Sequence, residues 1–207
     1  MPQSGESVFL DAIAEIIPEN YFAPLDLIGI YGRTAPLEVD LGCGDGMFLA
    51  GLAGGNSERS FLGIERLRGR VRTTRNRIAR LQLANARVLL VETSYAIQYL
   101  LPAESVAVFH LMFPDPWPKR RHQGRRVVSR DFLASIHRAL VSGGLFRIVT
   151  DDVDYFRSIE GLVSQLPEFN RIMGPTGPFP ISTFEKRFRE KGKEIYSLVL
   201  QNVSPVT

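Results

Sequence analysis

From Pro36 to its end the chain alternates short β-rich runs with helical stretches, and that alternation leaves little choice of architecture. Parallel strands can be joined only by a long crossover, usually a helix, so strands separated by helices imply a mostly parallel sheet covered on both faces. The strand runs are 37–41, 61–65, 87–91, 106–111, 145–150 and 195–202, and the helical stretches are 46–52, 67–83, 95–101, 130–140 and 153–165. The fold class predicted is therefore α/β. Before Pro36, helical periodicity around Phe9, Ile13 and Ile16 and turns at Pro18 and Pro24 predict that residues 1–35 either pack as a cap or fray without ligand. The Pro and Gly density between Pro167 and Pro180 predicts an irregular crossing loop, followed by a short charged helix around Glu185.

A parallel α/β sheet holds ligands at the carboxyl ends of its strands, and two loops there carry unusual chemistry. Leu37-Glu38-Val39-Asp40-Leu41-Gly42-Cys43-Gly44-Asp45-Gly46 runs from a strand directly into a glycine-rich turn that opens a helix. Gly42 and Gly44 let backbone approach a ligand, but Glu38, Asp40 and Asp45 would repel a pyrophosphate. The setting suits a cationic nucleoside with an amino-acid tail, and S-adenosyl-L-methionine has both a sulfonium and an ammonium. Glu65 ends the next strand about twenty residues on, where an acid accepts the hydroxyls of a ribose. Glu92 ends the third strand, within reach of an adenine amino group or, equally, as a helix cap.

The second loop, Phe113-Pro114-Asp115-Pro116-Trp117-Pro118-Lys119-Arg120-Arg121, sets Asp115 between two prolines, which stiffen the backbone around it. Trp117 can wall a bound base or belong to the core. Lys119, Arg120, Arg121, Arg125, Arg126 and Arg130 follow with no acid until Asp131, a pattern that fits a phosphate backbone. A second set, Arg66, Arg68, Arg70, Arg72, Arg75, Arg77 and Arg80, lies along one predicted helix, either as a further RNA-facing surface or as a solvated face.

Glycine loop, strand-end acid and the F-P-D-P-W-x-K run together resemble the bacterial tRNA (guanine-N7-)-methyltransferase family over nearly the whole chain. Ile148-Val149-Thr150-Asp151 matches that family's threonine-aspartate pair, while its T-x-[FY]-E motif is Ser182-Thr183-Phe184-Glu185 here. The resemblance implies a Rossmann-like S-adenosylmethionine-dependent methyltransferase fold with a mostly parallel seven-stranded sheet, in one domain over residues 1–207. It implies methyl transfer to N7 of a tRNA guanosine, in the variable loop. Cofactor contacts would come from Glu38, Glu65, Glu92, Asp115 and the backbone of Gly42 and Gly44. Substrate contacts would come from Lys119, Asp151, Ser182, Thr183, Phe184 and Glu185, with Asp115 as the catalytic group. Guanine N7 has an in-plane lone pair and no proton, so Asp115 would position and stabilise rather than remove a proton.

Three other readings compete: a methyltransferase acting on an exocyclic amine, an RNA-binding module without chemistry, and an NAD-dependent oxidoreductase. The first usually places two prolines together after its acid, the second has no use for an acid at each strand end, and the third fits the acidic loop poorly. The single cysteine, Cys43, excludes an internal disulfide, and no signal peptide, long apolar span or His/Cys metal spacing is present. A cytoplasmic enzyme with tRNA as partner, no membrane, no metal, and a monomeric or homodimeric state is the expectation.

Overall fold

A computed structural model describes residues 14–173 and 179–203, apart from the side chains of Arg120, Gln123, Thr183 and Phe184. Its centre is β2 (Leu37–Leu41), buried at every position. On one side of it stand β3 (Ser60–Glu65), β4 (Ala86–Leu90) and the two-residue β1 (Glu15–Ile16); on the other stand β5 (Val106–Met112), β6 (Leu140–Thr150), β8 (Tyr196–Asn202) and β7 (Phe169–Ile172). The first six of these run parallel, and β8 alone runs opposite, pairing antiparallel with both β6 and β7, in the order β1-β4-β3-β2-β5-β6-β8-β7. The chain leaves β2 in one direction and returns to its other flank at β5, and that reversal opens a crevice at the carboxyl ends of β2 and β5.

Helices cover both faces. On one lie α2 (Met47–Gly55) and α3 (Arg68–Arg80), burying Phe48, Leu49, Val71 and Ile78 against Phe61 and Val88. On the other lie α1 (Leu27–Tyr31), α4 (Thr93–Tyr95), continued by a π-helical turn over Ala96–Leu100, and α5 (Arg130–Ala139) and α6 (Val153–Val163), with Ile97, Leu100, Phe132, Ile136 and Ile159 buried against Phe109 and Phe146. Ser129 and Asp152 start α5 and α6 by accepting from the Phe132 and Tyr155 amides at 3.2 and 2.7 Å.

Three features depart from the sequence pattern. Among the described residues the sheet has eight strands: seven, plus β1, where Glu15 and Ile16 pair with Val88 and Leu89 instead of continuing a helix. Ile16 is apolar and buried, so it serves a strand edge as well as it would a helix face; Phe9 and Ile13 lie outside the described residues. Phe169–Ile172, expected as loop, pairs with Val199–Asn202 as β7, because Phe169 plugs the core while Asn170 and Arg171 keep the outer edge polar. Finally, β6 begins at Leu140 rather than residue 145: Leu140 pairs with Val106, and a bulge containing Gly143 at φ 73° precedes Leu145, which pairs with Val108. The helix expected around Glu185 is α7 (Thr183–Glu190).

Candidate active site

At the mouth of the crevice the loop after β2 turns through Gly42, Gly44 and Gly46, all with positive φ. Gly46 needs both its freedom and its missing side chain, since a Cβ there would meet the Thr74 side chain at 2.6 Å. Thr74, fully buried on α3, donates its hydroxyl to the Gly44 carbonyl at 3.0 Å and so ties the loop to the next helix. The loop encloses a cavity of about 180 Å³ lined by Asp40, Gly42, Gly44, Phe48, Met112 and Ser182, among others. That volume is below the roughly 300–1,000 Å³ of a site enclosing a whole ligand, so it receives one end of a nucleoside-sized molecule.

Asp40 and Glu38 lie two residues apart on one strand, hence on one face. Glu38 accepts from His110 Nε2 at 2.8 Å and from Arg59 Nη1 at 2.9 Å. Burial alone would raise its pKa; the His110 bond and Arg59 outweigh it and leave Glu38 below its ordinary value. Its carboxylate is occupied and does not line the cavity. Asp40 does, and among the described residues its Oδ2 is buried without a hydrogen-bond partner. Burial, reinforced by Glu65 and Asp45, pushes Asp40 up to about 7. The family resemblance implies a cofactor contact from Glu38; the acid of this strand that lines the cavity is Asp40, two residues closer to the glycine turn. That proximity to the strand's end is the signal that distinguishes them.

Glu65 is buried at the end of β3, where its carboxylate accepts from the Gly44 amide at 3.2 Å and the Leu67 amide at 2.9 Å, with Arg70 at 3.7 Å. A carboxylate has about four acceptor sites, so two hydroxyls can still be received. Cys43 is buried beneath the loop, its thiol kept protonated by burial and the neighbouring acids. Glu92, by contrast, is exposed and caps α4, accepting from the Tyr95 amide at 2.9 Å; it stands at the strand-end edge but serves the helix start.

Across the crevice, Phe113 and Trp117 take left-handed φ values of 53° and 43°, costly for residues with side chains and concentrated around Asp115. Phe113 still donates its amide to Val149 at 2.7 Å, and Arg126 donates Nε to the Pro116 carbonyl at 2.8 Å while its guanidinium lies 4.7 Å from the Tyr155 ring centre. Asp115 is exposed three residues beyond Met112, which lines the cavity. Trp117 is half-buried and belongs to no core cluster: His122 meets it edge-on at 5.8 Å and Arg125 covers it at 5.1 Å. The basic run divides accordingly. Arg126 braces the loop and Arg130 bonds Gln165, whereas Lys119, Arg121 and Arg125 are exposed.

Ser182 caps α7, accepting from the Glu185 amide at 3.0 Å, and it lines the cavity. Glu185 is buried and receives Arg189 at 2.7 Å; the side chains of Thr183 and Phe184 lie outside the described residues. Asp151 pairs with Lys193. On α3, Arg70, Arg75 and Arg77 pair with Glu65, Glu15 and Asp45, so that helix is not one uniform basic face. Among the described residues no metal-ligating cluster occurs, and no helix is long and apolar enough to cross a membrane.

Residues 34–198 match a family model described as "Putative methyltransferase". The chain is 32% identical over 183 residues to a tRNA (guanine-N(7)-)-methyltransferase of Syntrophotalea carbinolica, covering 86% of this chain and 79% of that one. It is 34% identical over 189 residues to one of Halorhodospira halophila, covering 88% and 81%. Among solved structures, the antibiotic-resistance methyltransferase Kmr superposes with a TM-score of 0.62 at 15% identity over 91% of this chain and 95% of that one. A SAM-dependent O-methyltransferase of Thermotoga maritima does so with 0.58 at 14% over 100% and 68%. At such identities the two structures speak for the fold.

Proposed function

The chain belongs to the tRNA (guanine-N7-)-methyltransferase family, and from that premise we propose how its residues divide the work. It methylates N7 of guanine in tRNA with S-adenosylmethionine as donor. The observation that carries the site is the buried, unpartnered Asp40 oxygen inside the glycine-loop cavity. Such an atom costs free energy until a donor meets it, and a cationic amino-acid tail is that donor. Asp40 holds the ammonium end, Gly42 and Gly44 bring backbone alongside, and Glu65 receives the ribose hydroxyls with its remaining acceptor sites. Glu92 stays a helix cap at the adenine end. When bound, S-adenosylmethionine supplies an electrophilic methyl on a sulfonium.

Asp115 presents its carboxylate to the N1 and N2 donors of guanine and stabilises the positive charge that develops on the ring. N7 carries no proton, so no general base is required there and rate comes from placement. Lys119 with Arg121 and Arg125 takes phosphates; Asp151 and the Ser182–Glu185 segment close the substrate side. The methylated guanosine lies in the variable loop, and the enzyme acts as one domain in the cytoplasm, where tRNA is.

Purified protein, labelled S-adenosylmethionine and unmodified bulk tRNA test this reading. The expected product is 7-methylguanosine, mapped to the variable loop by chemical cleavage at that nucleoside. Asp115→Asn should lower kcat at least a hundredfold with tRNA affinity retained. Label in an exocyclic N-methylguanosine instead would assign the enzyme to the other chemistry.

A further inference from the structure

Asp40, His110 and Arg147 are register partners across β2, β5 and β6, so three ionisable residues stand side by side in the middle of the sheet. Glu38 accounts for one nitrogen of His110; among the described residues its Nδ1 and Arg147 Nη1 are buried without a hydrogen-bond partner. Burial lowers both pKa values, and Arg147, drawn the other way by Glu185, also disfavours a charge on His110. A sheet centre does not tolerate this arrangement for packing alone, since apolar residues would fill it at lower cost.

What covers His110 and Arg147 is Phe179. The Arg147 guanidinium carbon lies 3.9 Å from the centre of the Phe179 ring, and the His110 ring meets it edge-on with centroids 5.6 Å apart. The next residue, Pro180, rests on α2 where Gly51 leaves room: a Cβ at Gly51 would meet Pro180 Cβ at 2.8 Å. Two residues later Ser182 lines the cofactor cavity and starts α7. From α7, Phe188 reaches Phe113 at the base of the Asp115 loop, with ring centroids 5.2 Å apart. Lys193, just beyond it, packs over Phe188 at 4.6 Å and pairs with Asp151. One continuous stretch thus touches the glycine-loop helix, the cavity, the Asp115 loop and Asp151.

We infer that Phe179, gripped by Arg147 and His110, is a positioning residue that fixes the 179–193 strap across the site, so that the cofactor cavity and the tRNA-facing groups are set by one pin. This rests on the activity proposed above for the substrate side, while the cofactor side stands without it. A cation facing an aromatic ring is attracted to it, and that attraction is enough to choose between placements of a short segment. An alkyl plug would cover the sheet equally well but would leave the guanidinium without that attraction.

The test is a side-chain series at one position: Phe179→Trp, Phe179→Leu and Phe179→Ala, with Arg147→Met as its counterpart. Cofactor affinity by calorimetry reads the pin without RNA. Phe179→Leu and Arg147→Met should each weaken it about fivefold while melting temperatures stay within a few degrees of wild type, and Phe179→Trp should restore wild-type affinity. With tRNA, the Leu variant should lower kcat at saturating cofactor as well as raise KM, since the strap reaches the Asp115 loop. Wild-type affinity and kcat in Phe179→Leu would overturn the inference and make Phe179 a plug. So would losses across the series that merely track melting temperature. Wild-type enzyme that fails to form 7-methylguanosine would sink the activity reading alone, because cofactor affinity across the series still decides the pin.

Discussion

The two ends of β2 hold the same chemistry in opposite conditions. At its start Glu38 is ionised, hydrogen-bonded by His110 and paired with Arg59; at its end Asp40 is more deeply buried, with one oxygen unmet among the described residues and its pKa raised to about 7. A satisfied buried carboxylate is architecture, because its charge is already compensated by the fold. An unsatisfied one is kept at a cost to stability, and that cost is recovered only when a ligand supplies the donor. The contrast separates a structural acid from a binding acid where residue type and strand position alone do not.

The largest effect should come from the satisfied end. Glu38→Ala leaves His110 Nε2 buried without its acceptor and is expected to lower unfolding free energy by about 3 kcal/mol, mostly through the His110 bond because the Arg59 side chain is well exposed. Folded Glu38→Ala should bind cofactor within about threefold of wild type once denaturation has been accounted for. A much greater loss of affinity, with stability unchanged, would erase the distinction between the two acids.

At the other end the effect should change sign. Asp40→Asn should weaken cofactor binding by about 1.5–3 kcal/mol, as for a hydrogen bond to a charged group, yet raise the melting temperature of the ligand-free protein at pH 8. The folded pKa of Asp40 lies above its unfolded value of 3.8, so it contributes stability that is complete below that value and lost as pH rises through about 7. His110 runs oppositely: its pKa is lowered in the fold, chiefly by burial, so stability present above its ordinary value of 6.5 is lost as pH falls through the folded pKa. The two groups therefore act with opposite sign, and Asp40→Asn should expose the His110 slope as a loss on acidification. Cofactor affinity should fall below pH 7 in wild type and stay level in Asp40→Asn; parallel pH profiles would refute the assignment.

The smallest effect belongs to Ser182, which is both cap and cavity wall. Ser182→Ala should cost about 1 kcal/mol in the stability of α7, while Ser182→Thr keeps the capping oxygen and should stay near wild type in KM for tRNA. If both variants behave alike, the hydroxyl neither caps nor contacts.

The alternation from Pro36 onward determined the sheet and its layers, because period and turn residues are local properties that survive without neighbours. Glu65 and the glycine turn were legible for the same reason: a strand end followed by a helix start fixes where a side chain can go. The Asp115 loop was legible through its prolines, whose φ is set by the residue itself, but the left-handed φ of Phe113 and Trp117, each just before a proline and expected extended, was not. β1 was not, since two residues become a strand only when Val88 and Leu89 lie alongside them. Nor was the division between Glu38 and Asp40, which share strand, face and charge and differ only in having Arg59 and His110 within reach. Nor was the grip on Phe179, made by side chains 32 and 69 positions away in sequence. Sequence by itself set which elements form and which edge gathers the acids, because those follow from short-range sterics and hydrophobic period. Which acids are already answered and which still lack a partner was decided by tertiary structure, because the free energy of a buried charge depends on whatever distant segments bring within about 3 Å of it.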